Sequence, residues 1–173
     1  FPQQGLPIEM TTYVTRGDSP GSHRVLMSVQ AELPVEAGPE PRRADVVFVA
    51  KSARDGHVVA SGTDVMSLPV GTTRGSIGTG HYNVQFDAPP GEYLMRVVVR
   101  EPTDGVTGSV DRRFEVQYFA GTDVSASDLI VGGKPGSLGV RGQAYTGDVL
   151  TAMLEVYARD AKELDRIDVQ ATL

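Results

Sequence analysis

Arg16-Gly17-Asp18 is the tripeptide that cell-adhesion modules present to integrins, and Asp123-x-Ser125-x-Ser127 fits the Asp-x-Ser-x-Ser pattern of metal-ion-dependent adhesion sites. In the first, a guanidinium and a carboxylate bracket a turn and reach a partner together. In the second, carboxylate and hydroxyl oxygens hold a hard divalent cation. Each pattern has a local reading as well. Gly17, Asp18, Ser19 and Pro20 are all turn formers, and they stand where one alternating segment must reverse into the next, so the tripeptide reads as a turn. An Asp-x-Ser-x-Ser site needs further oxygen ligands from loops at the carboxyl ends of a parallel α/β sheet. Only residues 128–173 follow Ser127, too few for that fold, so Asp123, Ser125 and Ser127 read as linker residues that bond nearby backbone.

The remaining chemistry-bearing residues are scattered. His23, His57 and His81 fall in separate strands or at their edges, and no pair has the spacing of ligands on one helix face. There is no Gly-x-Ser-x-Gly elbow. Carboxylates are plentiful, but many flank turns, as Asp55 and Asp104 do, and no acid pair is singled out. The stretch GTTRGSIGTG lacks the lysine of a phosphate-binding loop and precedes no helix, so it reads as a mobile loop. No catalytic, cofactor-binding or metal-ligating residue is assigned, and no cofactor is expected.

Composition narrows the partners. A net charge of −6 without any cluster of Lys and Arg argues against nucleic acid. Cysteine is absent, which removes disulfides, thiolate catalysis and the usual zinc sites, while the redox compartment stays open. Aromatics are 6% and tryptophan is missing, so an aromatic platform for sugars or single strands loses ground. No run of about 18 uncharged apolar residues occurs, so no membrane insertion is expected. The opening FPQQGLPIEM lacks an initial Met and a basic-then-apolar leader, which suggests a mature or excised fragment.

The elements that must carry these residues announce themselves by a period of two, the mark of half-buried strands. Val25, Met27, Val29, Ala31 and Leu33 share one face of RVLMSVQAEL. Tyr82, Val84 and Phe86 share one face of HYNVQFD; Tyr93, Met95, Val97 and Val99 one of EYLMRVVVR; Phe114, Val116 and Tyr118 one of RRFEVQY. A first strand is expected at about 8–15, and a hairpin at 44–52 and 57–68 turns at Asp55-Gly56. Residues 36–41, with two prolines, read as a connection, and 69–80 as a glycine-rich loop. Seven short strands with regular turns predict an all-β fold, an immunoglobulin-like β-sandwich. Tyr93, following a Pro-Pro-Gly turn, sits where a tyrosine corner would place its ring in the core and its hydroxyl on upstream backbone.

The expected organisation is an N-terminal arm over 1–7, the sandwich over 8–120, a linker over 121–148 and a partial second β domain over 149–173. The last segment is ambiguous. Leu150, Met153, Leu154, Tyr157, Ala161 and Leu164 make a helical stripe, whereas Leu150, Ala152, Leu154 and Val156 alternate as in a strand. RIDVQATL reads as a strand. The tail is thus either the start of a second sandwich or an addition to the first.

APPGEYLMRVVVREPTDGVTGSVDRRFEV, followed by DVSASDLIVGG and GDVLTAMLEVYA, resembles the region downstream of the von Willebrand A domain in acidobacterial VWFA-related proteins. The likeness covers about 80–157 and rests on strand-and-turn phrases, with no catalytic motif among them. It implies immunoglobulin-like accessory domains in an exported, extracytoplasmic bacterial protein, and it implies that LTAMLEVYA is a strand. The von Willebrand A domain itself is not within this sequence, so its metal-dependent adhesion is not carried over. The expectation is a non-enzymatic structural or protein-interaction module whose partner is a protein or a neighbouring domain of the same polypeptide. The alternatives are an accessory domain that docks a catalytic domain outside this chain, and a hydrolase with an acid pair built from loops. The C-terminal strands also offer a route to a homo-oligomer.

Overall fold

The computed structural model describes residues 5–19, 21–35, 42–67, 76–119, 124–132, 149 and 151–170. The alternating segments become seven long strands: β1 (Ile8–Arg16), β2 (His23–Val35), β3 (Arg43–Ser52), β4 (Val58–Ser67), β5 (Ser76–Asp87), β6 (Gly91–Arg100) and β7 (Thr107–Val116). They pair antiparallel in two sheets, ordered β1-β2-β5 and β4-β3-β6-β7. Alternation gives each sheet one apolar face, and stacking the two faces removes both from water. Val25, Met27, Val29 and Ala31 of β2 are fully buried, as are Val46 and Ala50 of β3 and Val97 and Val99 of β6. The molecule is an all-β sandwich. In constant-type immunoglobulin domains the fourth strand pairs with the fifth; here β4 pairs with β3, which makes theirs the four-stranded sheet.

Two features lock one end of the core. The Tyr93 ring is buried and stacks on Phe114 at 5.3 Å, while its hydroxyl donates to the Pro89 carbonyl at 2.6 Å. The tyrosine corner read from the sequence is therefore formed. Met95, two residues further on, is 1% exposed and fills the core with a flexible thioether.

The structure departs from the sequence reading in four places. Ser76–Gly80, expected as loop, belongs to β5, because β2 is 13 residues long and carries its pairing to Ser76. Gly78 and Gly80 sit buried in that ladder, where backbone pairing outweighs the usual loss of order at glycine. Tyr118 was expected on an inward face, but β7 ends at Val116 and Tyr118 is 68% exposed. The N-terminal arm is not loose from Gly5 onward: Leu6 is buried in the core and the Pro7 carbonyl accepts the Glu32 amide at 3.0 Å. Residues 36–41 and 69–75, expected as a connection and a loop, lie outside the described residues.

The fourth departure is the tail. Within the expected linker, β8 (Ser125–Ala126) and β9 (Ile130–Gly132) form two short ladders with β11 (Val156–Tyr157) and β10 (Thr151–Met153) respectively. Within LTAMLEVYA, residues 151–153 and 156–157 are thus strand, with a break at 154–155, while Leu150 lies outside the described residues. A one-turn helix, α1 (Ala161–Leu164), follows, capped by Asp160, whose carboxylate accepts the Glu163 amide at 3.0 Å. The strand expected over RIDVQATL is absent from its described part: 167–170 have no regular structure and no partner strand, and Val169 is 70% exposed. No helix among the described residues is long and apolar enough to cross a membrane.

Candidate functional site

The described residues of the two adhesion-like motifs meet His23 at one end of the sandwich, where β1 stops and β2 begins. The turn between them closes on itself: the Gly17 amide donates to the Ser22 carbonyl at 2.8 Å, and the Ser22 amide and hydroxyl donate to the Ser19 carbonyl at 2.9 and 2.8 Å. A Cβ on Gly17 would stand 2.1 Å from Ser22 Oγ, so the close approach requires glycine there. The flanking charges are already engaged. Arg24 pairs with Asp18 at 2.5 Å, and its hydrogen bond and charge hold that carboxyl below the ordinary carboxylate range. The Arg16 guanidinium lies 5.9 Å from the centre of the Tyr157 ring. Arg16 and Asp18 thus each have a partner within the chain, although both are exposed and the Asp18 side chain is 86% so.

The tail is clasped to the same end. Asp128 lies along the outer edge of β1, its Oδ2 accepting the Val14 amide at 2.7 Å and its own amide donating to the Val14 carbonyl at 3.1 Å. An edge strand exposes unpaired backbone, and one aspartate satisfies both groups of Val14. The Tyr157 hydroxyl accepts the Arg16 amide at 2.7 Å and donates to the Glu155 carboxylate. Burial, with the Glu155 carboxylate beside it, pushes this phenol up to about 12. Phe119 joins sandwich to tail, its ring 5.3 Å from His23 and 5.0 Å from Tyr157.

His23 is 1% exposed, directly opposite Arg16 in the β1–β2 ladder. Its Nε2 accepts the Phe119 amide at 3.3 Å, while Nδ1 has no hydrogen-bond partner among the described residues. His57 and His81 are exposed and stand on other elements, His57 in the β3–β4 turn and His81 on β5. The three histidines do not come together.

The Asp-x-Ser-x-Ser segment is only partly within the described residues, since Asp123 lies outside them. Ser127 Oγ is committed locally: it donates to the Asp128 carbonyl at 2.9 Å and accepts the Glu155 amide at 3.0 Å. Among the described residues no group of three or more His, Asp or Glu is placed to hold a metal ion.

Asp55 and Asp104 keep their turns. The Asp55 carboxylate accepts the His57 amide at 3.0 Å. Asp104 belongs to a more buried arrangement that the sequence did not announce. Glu101 is 1% exposed and accepts the Thr103 and Asp104 amides at 3.1 and 2.7 Å, while Arg42 bridges Glu101 and Asp104 at 3.0 and 2.8 Å. Burial pushes the Glu101 carboxyl up, but those amides and Arg42 outweigh it and hold the group below its ordinary value. All its oxygens are spent on the turn, so it is a structural acid.

One acid pair does arise. Glu92 and Glu115 face each other across β6 and β7, beside Arg113 at a depression of about 280 Å³. Both side chains are exposed. A larger depression of about 510 Å³ lies between the β3–β4 and β5–β6 turns, lined by Arg54, Asp55, His57 and Glu92 among others. It is a groove between turns, and the hydroxyl of the buried Tyr93 in its lining is committed to the Pro89 carbonyl.

No protein-family model matches the chain, and no curated protein matches it. Similar solved structures include a putative beta-galactosidase from Bacteroides fragilis, with TM-score 0.39, 21% identity and 64% of this chain covered. A beta-glucosidase from Kluyveromyces marxianus is similar at TM-score 0.32, 11% identity and 65% coverage. Beta-glucosidase 3B from Thermotoga neapolitana is similar at 0.26, 14% and 64%. The chain spans 17%, 14% and 17% of the lengths of these three proteins. At such scores the likeness carries nothing about what this chain does.

Proposed function

We propose that this chain is a non-enzymatic, immunoglobulin-like module that holds the polypeptide following it in a fixed pose, as part of a larger exported bacterial protein. The observation that supports this reading most is the clasp. Asp128, Tyr157 and Phe119 tie the tail to β1 and β2 through contacts 114, 141 and 96 residues apart in sequence. A flexible linker has no need of such bonds. The tail's ladders, two and three residues long, are too short to stand alone, so the sandwich serves as their platform and they begin a second β unit. The likeness to the region downstream of the von Willebrand A domain supports the same role, that of an accessory domain outside the cell, with a neighbouring domain of the same polypeptide as partner.

A second reading, docking of a catalytic domain from outside the chain, draws on the outer face of the four-stranded sheet. Val47, Val65 and Leu94 are 46%, 48% and 40% exposed there, around the Arg96–Asp111 ion pair. The positioning role is tested by ¹⁵N relaxation of the intact chain. Amides of β10 and β11 are expected to tumble with the same correlation time as those of β3 and β6. A tail that tumbles independently would overturn the reading.

A further inference from the structure

The clasp contains one titratable group whose protonation none of the foregoing roles uses: the imidazole of His23, which accepts the Phe119 amide. Its ring is enclosed, stacked on Phe119 and next to Tyr118 at 6.1 Å. Nε2 accepts a backbone N–H, so it carries no proton, and in the neutral ring the proton is on Nδ1. Nδ1 is buried and finds no acceptor among the described residues. The site therefore tolerates a neutral imidazole at some cost and has nothing to offer a charged one. Protonation would set a second N–H donor against the Phe119 N–H and bury a cation beside the Arg16 guanidinium.

The charged groups around the ring point the same way. From β1 the facing group is Arg16, a cation. From the β5–β6 turn the contact is backbone, the Ala88 amide donating to the His23 carbonyl at 3.0 Å. Nearby Asp18 and Asp87 both lie against Arg24, at 2.5 and 3.8 Å. From the tail, Tyr157 is a neutral phenol across this pH range and Glu155 is bonded to it. No carboxylate among the described residues is paired with His23 to stabilise an imidazolium.

We propose that His23 is a pH-sensitive latch: neutral, it holds Phe119 and through it the tail against the sandwich; protonated, it releases them. This rests on the positioning role proposed above. Burial, and then the Arg16 charge, push the imidazole below its ordinary value of 6.5. The sign follows: the unfolded or released histidine takes up its proton first, so the closed joint is fully favoured above pH 6.5 and loses ground as pH falls through the lower value of the closed state. The Asp128 and Tyr157 bonds to β1 do not involve His23, so its protonation removes one of the three contacts that hold the tail and loosens the joint.

The absence of cysteine permits clean site-specific labelling. Cysteines introduced at Thr63 on β4 and Lys162 on α1, both exposed, would carry a fluorophore pair. Single-molecule energy transfer on the whole chain is expected to give one narrow distribution at about pH 7.5 that is lost at about pH 5.5, on either side of the ordinary histidine value. His23→Gln, which can accept the Phe119 amide and never charges, is expected to stay narrow at both. A wild-type distribution narrow at both pH values overturns the latch alone, as does equal broadening in His23→Gln. A distribution broad already at the higher pH overturns the positioning role, and the latch with it. Should the variant fold poorly, the wild-type NMR titration decides: the Phe119 amide shift is expected to follow the His23 midpoint, and its indifference to that titration overturns the proposal.

Discussion

Glu101 shows how much of this protein's polar chemistry is structural. A buried carboxylate is costly unless its oxygens are satisfied, and here two amides of its own turn and Arg42 satisfy them. Glu101→Gln keeps the shape but loses the charge, and is expected to cost roughly 1–3 kcal/mol at neutral pH in denaturant unfolding. Because the folded carboxyl is held below its ordinary value of 4.5, its stabilisation is complete above that value and is lost as pH falls through the lower folded one. The gap between wild type and variant should therefore close in acid. Neither Glu101 nor the clasp residues were legible in the sequence. Asp128 and Tyr157 meet partners 114 and 141 residues away, and a linear pattern carries no trace of such pairings. Tyr93 was legible, because its partner Pro89 is four residues upstream in a turn that the prolines announce.

At the scale of strands, period-two alternation reported faces well and ends poorly. β6 buries Tyr93, Met95, Val97 and Val99 as its pattern required. β5 began five residues before its alternating segment, since the length of β2, not local propensity, set where pairing started. The pairing of the tail escaped the reading for a related reason, although the alternation of Leu150, Ala152, Leu154 and Val156 offered a strand: β8, its partner within the expected linker, is two residues long, too short to show any period. Two substitutions test the packing. Tyr93→Phe removes the bond to the Pro89 carbonyl and is expected to cost about 0.5–1.5 kcal/mol in unfolding free energy. Gly62 lies opposite Phe48, and a Cβ there would be 2.6 Å from Phe48 Cε1. Gly62→Val must push that ring aside and is expected to cost about 1–3 kcal/mol, read as a lower thermal midpoint.

Seen whole, the chain is a filled sandwich with a short, polar-bonded tail drawn back onto one of its edges. Both adhesion-like motifs of the sequence lie at this junction, where their described residues serve the turn and the clasp. The clasp is a handful of hydrogen bonds and ring contacts, so it should give way independently of the core. Asp128→Ala combined with Tyr157→Phe is expected to expose the tail to proteases while leaving the unfolding midpoint of the sandwich nearly unchanged. The most direct measurement is native-state hydrogen exchange at the Val14 and Arg16 amides, whose acceptors both belong to the tail. Both amides should be strongly protected in the intact chain, and should lose that protection in the double variant while β3 and β6 keep theirs. Exchange of these two amides at free-peptide rates in the intact chain would contradict the account.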